Sequence, residues 1–322
     1  MEDTINILCA TDNNYAPYCG IMLTSLFDNN KDCHFVVYIF EDGSVVEENV
    51  EKYQRLASKF GNEIVLKTID ENLLKGFPIN DNLHITIPTY YRLFAEELLP
   101  DDIHKVIYLD CDIIVKGNIK PLWQVDLNDK AVAGVNDCNG GPQCKRLNYD
   151  PSFGYFNAGV MVCNLDYWRK NQLMDRFLEY IQNNRNNKTK LYYMDQDVLN
   201  VMLRGEIVLL SERFNFQVKL FEMQFWQDYS EEQRDTFIKE GQIVSIIHYS
   251  DSKPWNNKKS FGPLFYEWEK IRKKSLWHNS RVRIPLTKEI KYIIKRAFFP
   301  CVLREQLQER WFIPEVLGLF SF

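Results

Sequence analysis

Glycine-rich phosphate loops are missing from this chain of 322 residues. It holds no G-x-G-x-x-G and no Walker lysine, so neither a dinucleotide fingerprint nor a P-loop is supported. No run of 18 apolar residues occurs, which excludes an ordinary spanning helix. None of the eight cysteines (Cys9, Cys19, Cys33, Cys111, Cys138, Cys144, Cys163 and Cys301) forms a C-x-x-C pair. Several lie in apolar runs, where free cysteine behaves as a small hydrophobe. A reduced cytosolic chain is therefore expected in place of a disulfide framework. Met1-Glu2-Asp3 is acidic and no long apolar stretch follows, so no signal peptide is expected. An excess of positive charge is also lacking: the net charge of −5 argues against a general nucleic-acid binder.

What is present is apolar material. At 45% hydrophobic and 14% aromatic, the chain can bury a large core as one big domain or one domain plus an appendage. Charge is uneven. Residues 270–296 hold ten Lys and Arg against Glu289 alone, a net of +9, which leaves −14 for the rest.

Residues 5–10 read as a first strand, followed by the polar loop Thr11-Asp12-Asn13-Asn14-Tyr15. A helix is expected over 17–27 and a second strand over 34–40. Ser44 and Glu47 make a capping box, with Val50, Tyr53, Ala57 and Phe60 on one helical face. A third strand covers 63–69. This alternation implies an α/β fold with a largely parallel sheet. The loop after the first strand lies where a doubly wound fold binds a nucleotide. Tyr15 there can stack on a base with Asp12 at its polar edge, or the stretch is a satisfied turn.

Residues 106–115 organise the chain. Four apolar residues lead into Asp110-Cys111-Asp112 and three follow, which predicts one strand buried on both faces. Two buried carboxylates without partners would be very costly. Residues i and i+2 of an extended chain share a face, with Cys111 on the other. Such a pair suits a hard divalent cation, although alone it reads more readily as a turn cap and a lysine partner. Residues 243–248 repeat the design and end in His248, with Lys253-Pro254-Trp255 beyond. A lone His there is more often structural; beside Asp110 and Asp112 it becomes a third ligand.

Arg92 opens a helix and can meet a phosphate or an acid. Asn136-Asp137 closes a strand over 131–135. Residues 138–154, rich in Gly, Pro and Asn, read as a flexible lid-like excursion. In the next strand Ala158 and Gly159 permit close backbone approach, and Asn157 is a candidate hydroxyl reader. Asp195, Gln196 and Asp197 are poor core material at a helix start, although acids there also complement the helix dipole.

The segments Ala10-Thr11-Asp12-Asn13-Asn14-Tyr15, Thr89-Tyr90-Tyr91-Arg92, Tyr108-Leu109-Asp110-Cys111-Asp112, Tyr155-Phe156-Asn157-Ala158-Gly159, Asp195-Gln196-Asp197, Arg213-Phe214-Asn215-Phe216 and His248…Lys253-Pro254-Trp255 occur in one order. In that order the chain resembles glycosyltransferase family 8, the retaining sugar transferases that include bacterial lipopolysaccharide galactosyl- and glucosyltransferases. Within the family it is most similar to lipooligosaccharide α-galactosyltransferases, which also carry a basic tail.

The resemblance implies a GT-A fold: one Rossmann-like catalytic domain over 1–265, then a basic amphipathic tail over 266–322. It implies transfer of galactose or glucose from a UDP-hexose to a saccharide or glycolipid acceptor, with Mn2+ (Mg2+ as substitute). Asp110, Asp112 and His248 would hold the metal. Ala10, Asp12, Asn14, Tyr15, Arg92, Cys111 and Lys253 join both acids at the nucleotide, and Arg92, Asp137, Asn157, Asp195 and Gln196 line the donor sugar. Front-side attack is expected over a covalent nucleophile at Asp195. One departure is that Lys253 follows His248 by five residues, where the family usually has six with a glycine between. Two other classes compete. A sugar-1-phosphate nucleotidyltransferase would want a glycine-rich loop after the first strand, and a non-catalytic UDP-sugar binder is opposed by the intact metal and lysine set. In the tail, Ile290, Ile293, Ile294, Ala297 and Phe298 share one helical face beside Lys288, Lys291, Lys295 and Arg296. Such a helix lies on an anionic membrane surface, which predicts a cytoplasmic protein peripheral on the inner face; packing on the body or a partner chain is the alternative.

Overall fold

The computed structural model describes residues 4–79, 86–187, 189–221, 232, 244–250, 253–255 and 263–280. Among the described residues, ten strands lie in two sheets: β1 (Ile5–Ala10), β2 (Phe35–Glu41), β3 (Glu63–Thr68), β4 (Lys105–Leu109), β5 (Ile113–Val115), β6 (Val132–Asn136), β7 (Phe156–Asn164), β8 (Ile207–Leu209), β9 (Phe216–Gln217) and β10 (Ile246–His248). The larger sheet runs β3-β2-β1-β4-β7-β6-β8. Only β7 is reversed; it pairs antiparallel with β4 and β6, while the other pairings are parallel.

The first strand shows why this sheet is central. Ile7 and Cys9 enter one apolar cluster and Leu8 enters the other, so both faces of β1 are covered. That is the pattern of a strand buried between helical layers. The helix Ala16–Asn29 lies over the first cluster. Strand order reverses at β1, which has β2 on one side and β4 on the other. Ligands gather in the crevice outside the carboxyl ends at such a switch point.

The run over 106–115 is two strands, not one. Leu109 ends β4, and Asp110 N–H gives its hydrogen bond to Gly159 O at 2.9 Å. The chain then turns, and β5 pairs antiparallel with β10 in a second sheet, β5-β10-β9. Ser25 Oγ accepts from Val115 N–H at 2.9 Å and pins the departing strand. Asp110 and Asp112 thus occupy the corner between two sheets. Periodicity cannot see this break, because both halves are equally apolar.

Two further local expectations are corrected. The capping box does not form: Val46 is the N-cap of helix Glu47–Phe60, and Ser44 Oγ instead contacts Asp42 Oδ1 and Asn13 N. Residues 138–154 are not a loose excursion. They contain the helix Gly140–Leu147, ended by Asn148 in the left-handed region at φ 56°. Cys144, Tyr149 and Tyr155 form a small apolar cluster beneath it, and Tyr149 OH donates to Gly154 O.

The helix Pro263–Lys274 runs across the division expected after residue 265. Its Trp268 and Ile271 belong to the core, as does Trp277 beyond it. Trp277 Nε1 donates to Asn49 Oδ1 at 2.8 Å. The amphipathic stretch expected over 288–298 lies outside the described residues.

Candidate active site

A cleft of about 590 Å³ opens at the carboxyl ends of β1 and β4. Of the residues singled out from the sequence, Ala10, Asp12, Tyr15, Arg92, Asp110, Cys111, Asp112, Asp137, Asn157, Asp195, Gln196, His248 and Lys253 all line it. Asn14 is exposed and does not.

On the floor, one ligand atom each of Asp110, Asp112 and His248 lies within 4.8 Å of the others. His248 Nε2 is 3.3 Å from Asp112 Oδ1 and 3.8 Å from Asp110 Oδ2. Its other nitrogen, Nδ1, is 2.9 Å from Asn215 Oδ1. Two carboxylates and an imidazole nitrogen, converging at a strand corner, are a donor set that fits a divalent cation. Lys253 Nζ lies against Asp112 Oδ2 and also donates to Tyr249 O at 3.0 Å. Burial pushes the Asp112 carboxyl up, but Lys253 and His248 outweigh it and hold it below the ordinary carboxylate range. Cys111 faces away from the acids and donates to Ala10 O at 3.2 Å.

Arg92 ties the floor to the next wall. Nη2 donates to Asp110 Oδ1 at 2.9 Å, Nη1 to Ala158 O at 2.6 Å, and Nε to Thr89 O at 3.0 Å. The guanidinium lies over the Tyr108 ring, 4.2 Å from its centroid, and Tyr108 OH donates to Asp110 Oδ1. Burial opposes the charge of Arg92, but Asp110 and Asp195 more than offset it and raise its pKa.

Asp195 and Gln196 start the helix Asp195–Met202. Thr89 Oγ1 donates to Asp195 Oδ1 at 2.6 Å. Arg92 Nε is 3.0 Å from Asp195 Oδ2 but aims its hydrogen at Thr89 O, so that oxygen has a charge beside it and no hydrogen bond. Burial lifts the Asp195 carboxyl to about 6 against the pull of Arg92 and Thr89. Gln196 is held at both ends: Oε1 accepts from Ala158 N–H at 3.1 Å and Nε2 donates to Asp137 Oδ2 at 3.2 Å. Asp137 Oδ2 also accepts from Asn157 Nδ2 at 2.9 Å. Asp197 is different in kind. Fully buried, it accepts from Arg146, Tyr155 OH and Tyr193 N–H, and so anchors the helix start.

On the opposite side, Asp12 Oδ1 accepts from Tyr15 N–H at 2.8 Å, and Asn13 Oδ1 accepts from Val46 N–H and Asn49 Nδ2. The loop is thus both a satisfied turn and a cleft wall. Tyr15 sits edge-on to Trp255, which stacks on Tyr18 at 3.7 Å.

Thr89, Tyr108 and Asn215 contact the site residues, a part that their places in the family segments did not assign to them. Asn215 did carry a sequence signal: it lies in Arg213-Phe214-Asn215-Phe216, one of the ordered family segments, and the structure buries it completely.

The family model for glycosyl transferase family 8 matches residues 6–259. A lipopolysaccharide 1,2-glucosyltransferase of Escherichia coli is 30% identical over 294 residues, covering 90% of this chain and 83% of its own. General stress protein A of Bacillus subtilis is 28% identical over 258 residues, covering 80% and 89%. Among solved structures, galactosyltransferase LgtC in complex with donor and acceptor sugar analogs superposes with a TM-score of 0.71 at 26% identity, covering 84% of this chain and 96% of that one.

Proposed function

The chain belongs to glycosyl transferase family 8, and on that footing we propose that it is a retaining enzyme moving galactose or glucose from UDP to the saccharide of a lipopolysaccharide or other cell-surface glycan. As a hexosyltransferase of this family it uses a nucleotide-sugar donor and a divalent metal; UDP and Mn2+ are the finer assignments. One observation carries the reading: Asp110, Asp112, His248 and Lys253 meet in a single cleft at the switch point of the sheet. Mixed carboxylate and imidazole ligation favours Mn2+ over Mg2+, whose sites are usually oxygen-only. The acceptor class is suggested by the named activity of the E. coli relative. A nucleotidyltransferase is not favoured, since the loop after β1 holds no glycine.

In this reading Asp110, Asp112 and His248 hold the metal, which supplies Lewis-acid stabilisation of charge developing on the leaving diphosphate. Lys253 brings a second positive charge to the same end of the cleft. Arg92 keeps Asp110 and Asp195 at fixed positions and holds the Ala158 carbonyl beside them. Asp195 Oδ2 is buried against Arg92 Nε without a hydrogen bond, so this carboxylate holds the guanidinium in place behind the sugar wall. Gln196 and Asp137 place amide and carboxylate groups along the same wall. Gln196 is a poor nucleophile because it is an amide, and its oxygen is held by the Ala158 N–H. Asp195 is buried and tied to Thr89 and Arg92. Front-side attack follows, with the leaving phosphate taking the acceptor proton.

The proposed site is cytoplasmic. The catalytic body would run through Trp277, which joins Trp268 and Ile271 in the core, and the basic segment beyond it would dock on an anionic membrane surface. No helix among the described residues is long and apolar enough to cross a membrane.

The test is UDP release with a panel of UDP-sugars, followed by linkage analysis on candidate glycolipids. UDP-galactose or UDP-glucose should turn over with Mn2+ and stop in EDTA. Asp110→Ala, Asp112→Ala and His248→Ala should each abolish transfer in folded protein. Full activity in excess EDTA would overturn the reading.

A further inference from the structure

We propose that Asn215 is a positioning residue that fixes the tautomer of His248, and that its own orientation is dictated by a one-way chain of hydrogen bonds starting at Asp137. The proposal rests on the reading of His248 as a metal ligand.

The argument begins with groups whose direction admits no choice. A carboxylate only accepts and a backbone N–H only donates. Asp137 Oδ2 therefore faces the amide nitrogen of Asn157, at 2.9 Å. The amide oxygen of Asn157 must then point the other way, where it meets Gly159 N–H at 3.1 Å. These two one-way partners agree on the orientation of Asn157. The same oxygen lies 2.9 Å from Asn215, and the carbonyl of Asn157 lies 3.5 Å from the same Asn215 atom. Only the amide nitrogen of Asn215 can face two acceptors. Its oxygen is consequently turned to His248 Nδ1, at 2.9 Å.

An amide oxygen cannot donate, so Nδ1 carries the proton. In the neutral ring Nε2 is then left with a lone pair, and Nε2 is the nitrogen aimed at Asp110 and Asp112. A metal-ligating histidine generally needs such a partner on its far nitrogen to hold ring and tautomer. Asn215 is wholly buried, Asn157 and His248 nearly so, and water therefore has little access to take over the bond. The chain continues past Asp137 to Gln196, which donates to the same carboxylate oxygen. One carboxylate thus orients groups at both the metal end and the sugar end of the cleft.

The experiment is 15N NMR of the imidazoles at alkaline pH in the full chain, with His248→Gln used to assign the signal among five histidines. The expected result is a protonated Nδ1 and an unprotonated Nε2. A second arm measures Mn2+ binding to donor-free protein. Asn215→Leu should keep the wild-type circular dichroism and weaken Mn2+ by about 10–100-fold, the range for losing an outer partner of a metal ligand. Its His248 signal should shift towards the other tautomer. A wild-type ring with an unprotonated Nδ1 would overturn the proposal, as would a folded Asn215→Leu protein that binds Mn2+ like wild type. If that variant fails to fold, the wild-type spectrum alone decides. Failure of the wild type to bind Mn2+ at all would overturn the metal assignment, and with it the proposed role of the tautomer.

Discussion

Gly159 and His248 are interlocked. A Cβ at Gly159 would fall 2.3 Å from Cε1 and 2.9 Å from Nδ1 of the imidazole, and 2.8 Å from Asp110 Oδ2. The hydrogen at that position is what lets the ring approach β7 so closely. Gly159→Ala should therefore displace His248 while the sheet survives, at a stability cost of about 1–3 kcal/mol, as for other overpacked sites. Mn2+ affinity should fall at least about tenfold, as it does when a ligand's placement is lost. Isothermal titration with Mn2+ alone checks this, and a variant binding at wild-type strength would show that the ring has room to move.

Arg92 is expected to hold the site together more than to touch the donor. Removing one partner of a buried ionic cluster typically costs about 3–5 kcal/mol, because the remaining charge stays unpaired. Arg92→Met leaves both Asp110 and Asp195 without their cation. Urea denaturation should show a loss in that range. Arg92→Lys should recover only part of it, since a lysine cannot reach Asp110, Ala158 O and Thr89 O from one planar group.

Asp195 should leave a mark on stability against pH. Burial raises its folded pKa from the ordinary 3.8 to about 6. Between those values the folded chain holds a proton that the unfolded chain has released. Stability from this group is fully present below the lower value and is lost as pH rises through the upper one. The wild type should lose on the order of 3 kcal/mol relative to Asp195→Asn between about pH 4 and pH 7. Parallel profiles for the two proteins in that window would show that Asp195 is not perturbed.

Gln196 tests the stereochemical course. With its oxygen held by Ala158 N–H, it can position the sugar without attacking it. Gln196→Ala should keep activity reduced by roughly 10–1,000-fold, the scale of losing one preorganised polar contact. A glycosyl adduct trapped on Asp195 in the wild type would favour double displacement instead.

Asp110, Asp112 and His248 were legible only as a set: singly they read more readily as a turn cap, a lysine partner and a structural histidine, and it is three ligand-type residues at the ends of apolar strands that point to a metal. Gly159 was legible for a related reason: a small residue inside a strand marks close approach. The break between β4 and β5 was not, since Ile113 and Ile114 are as apolar as Val106 and Ile107, and only their pairing partners differ. Residues 138–154 misled because Gly140, Gly141 and Pro142 read as loop, while Cys144, Tyr149 and Tyr155 hold a helix in place. The role of Asn215 depends on a histidine 33 positions away, which no local pattern encodes.

The same contrast bears on where the catalytic body ends. Residues 270–296 look like the start of a detachable basic segment, yet Trp268, Ile271 and Trp277 are buried. A Cβ at Gly20 would fall 2.2 Å from the Trp277 ring, so this tryptophan fills a notch in the helix Ala16–Asn29. Lys274 pairs with Asp28 of that helix at 3.3 Å. Losing one buried tryptophan costs about 3–5 kcal/mol, and a chain ending at residue 265 loses two together with Ile271. Such a chain should be insoluble or melt far below wild type. A chain ending at Ser280 keeps all three and should remain folded and active on a soluble sugar acceptor. What it should lose is sedimentation with anionic vesicles, because Lys288, Lys291, Lys295 and Arg296 are gone and each basic residue near such a surface contributes about 1 kcal/mol. If the full chain ignores anionic vesicles at physiological salt, the tail does not dock on membranes. If both truncated chains fold alike, Trp268 and Trp277 do not belong to the core.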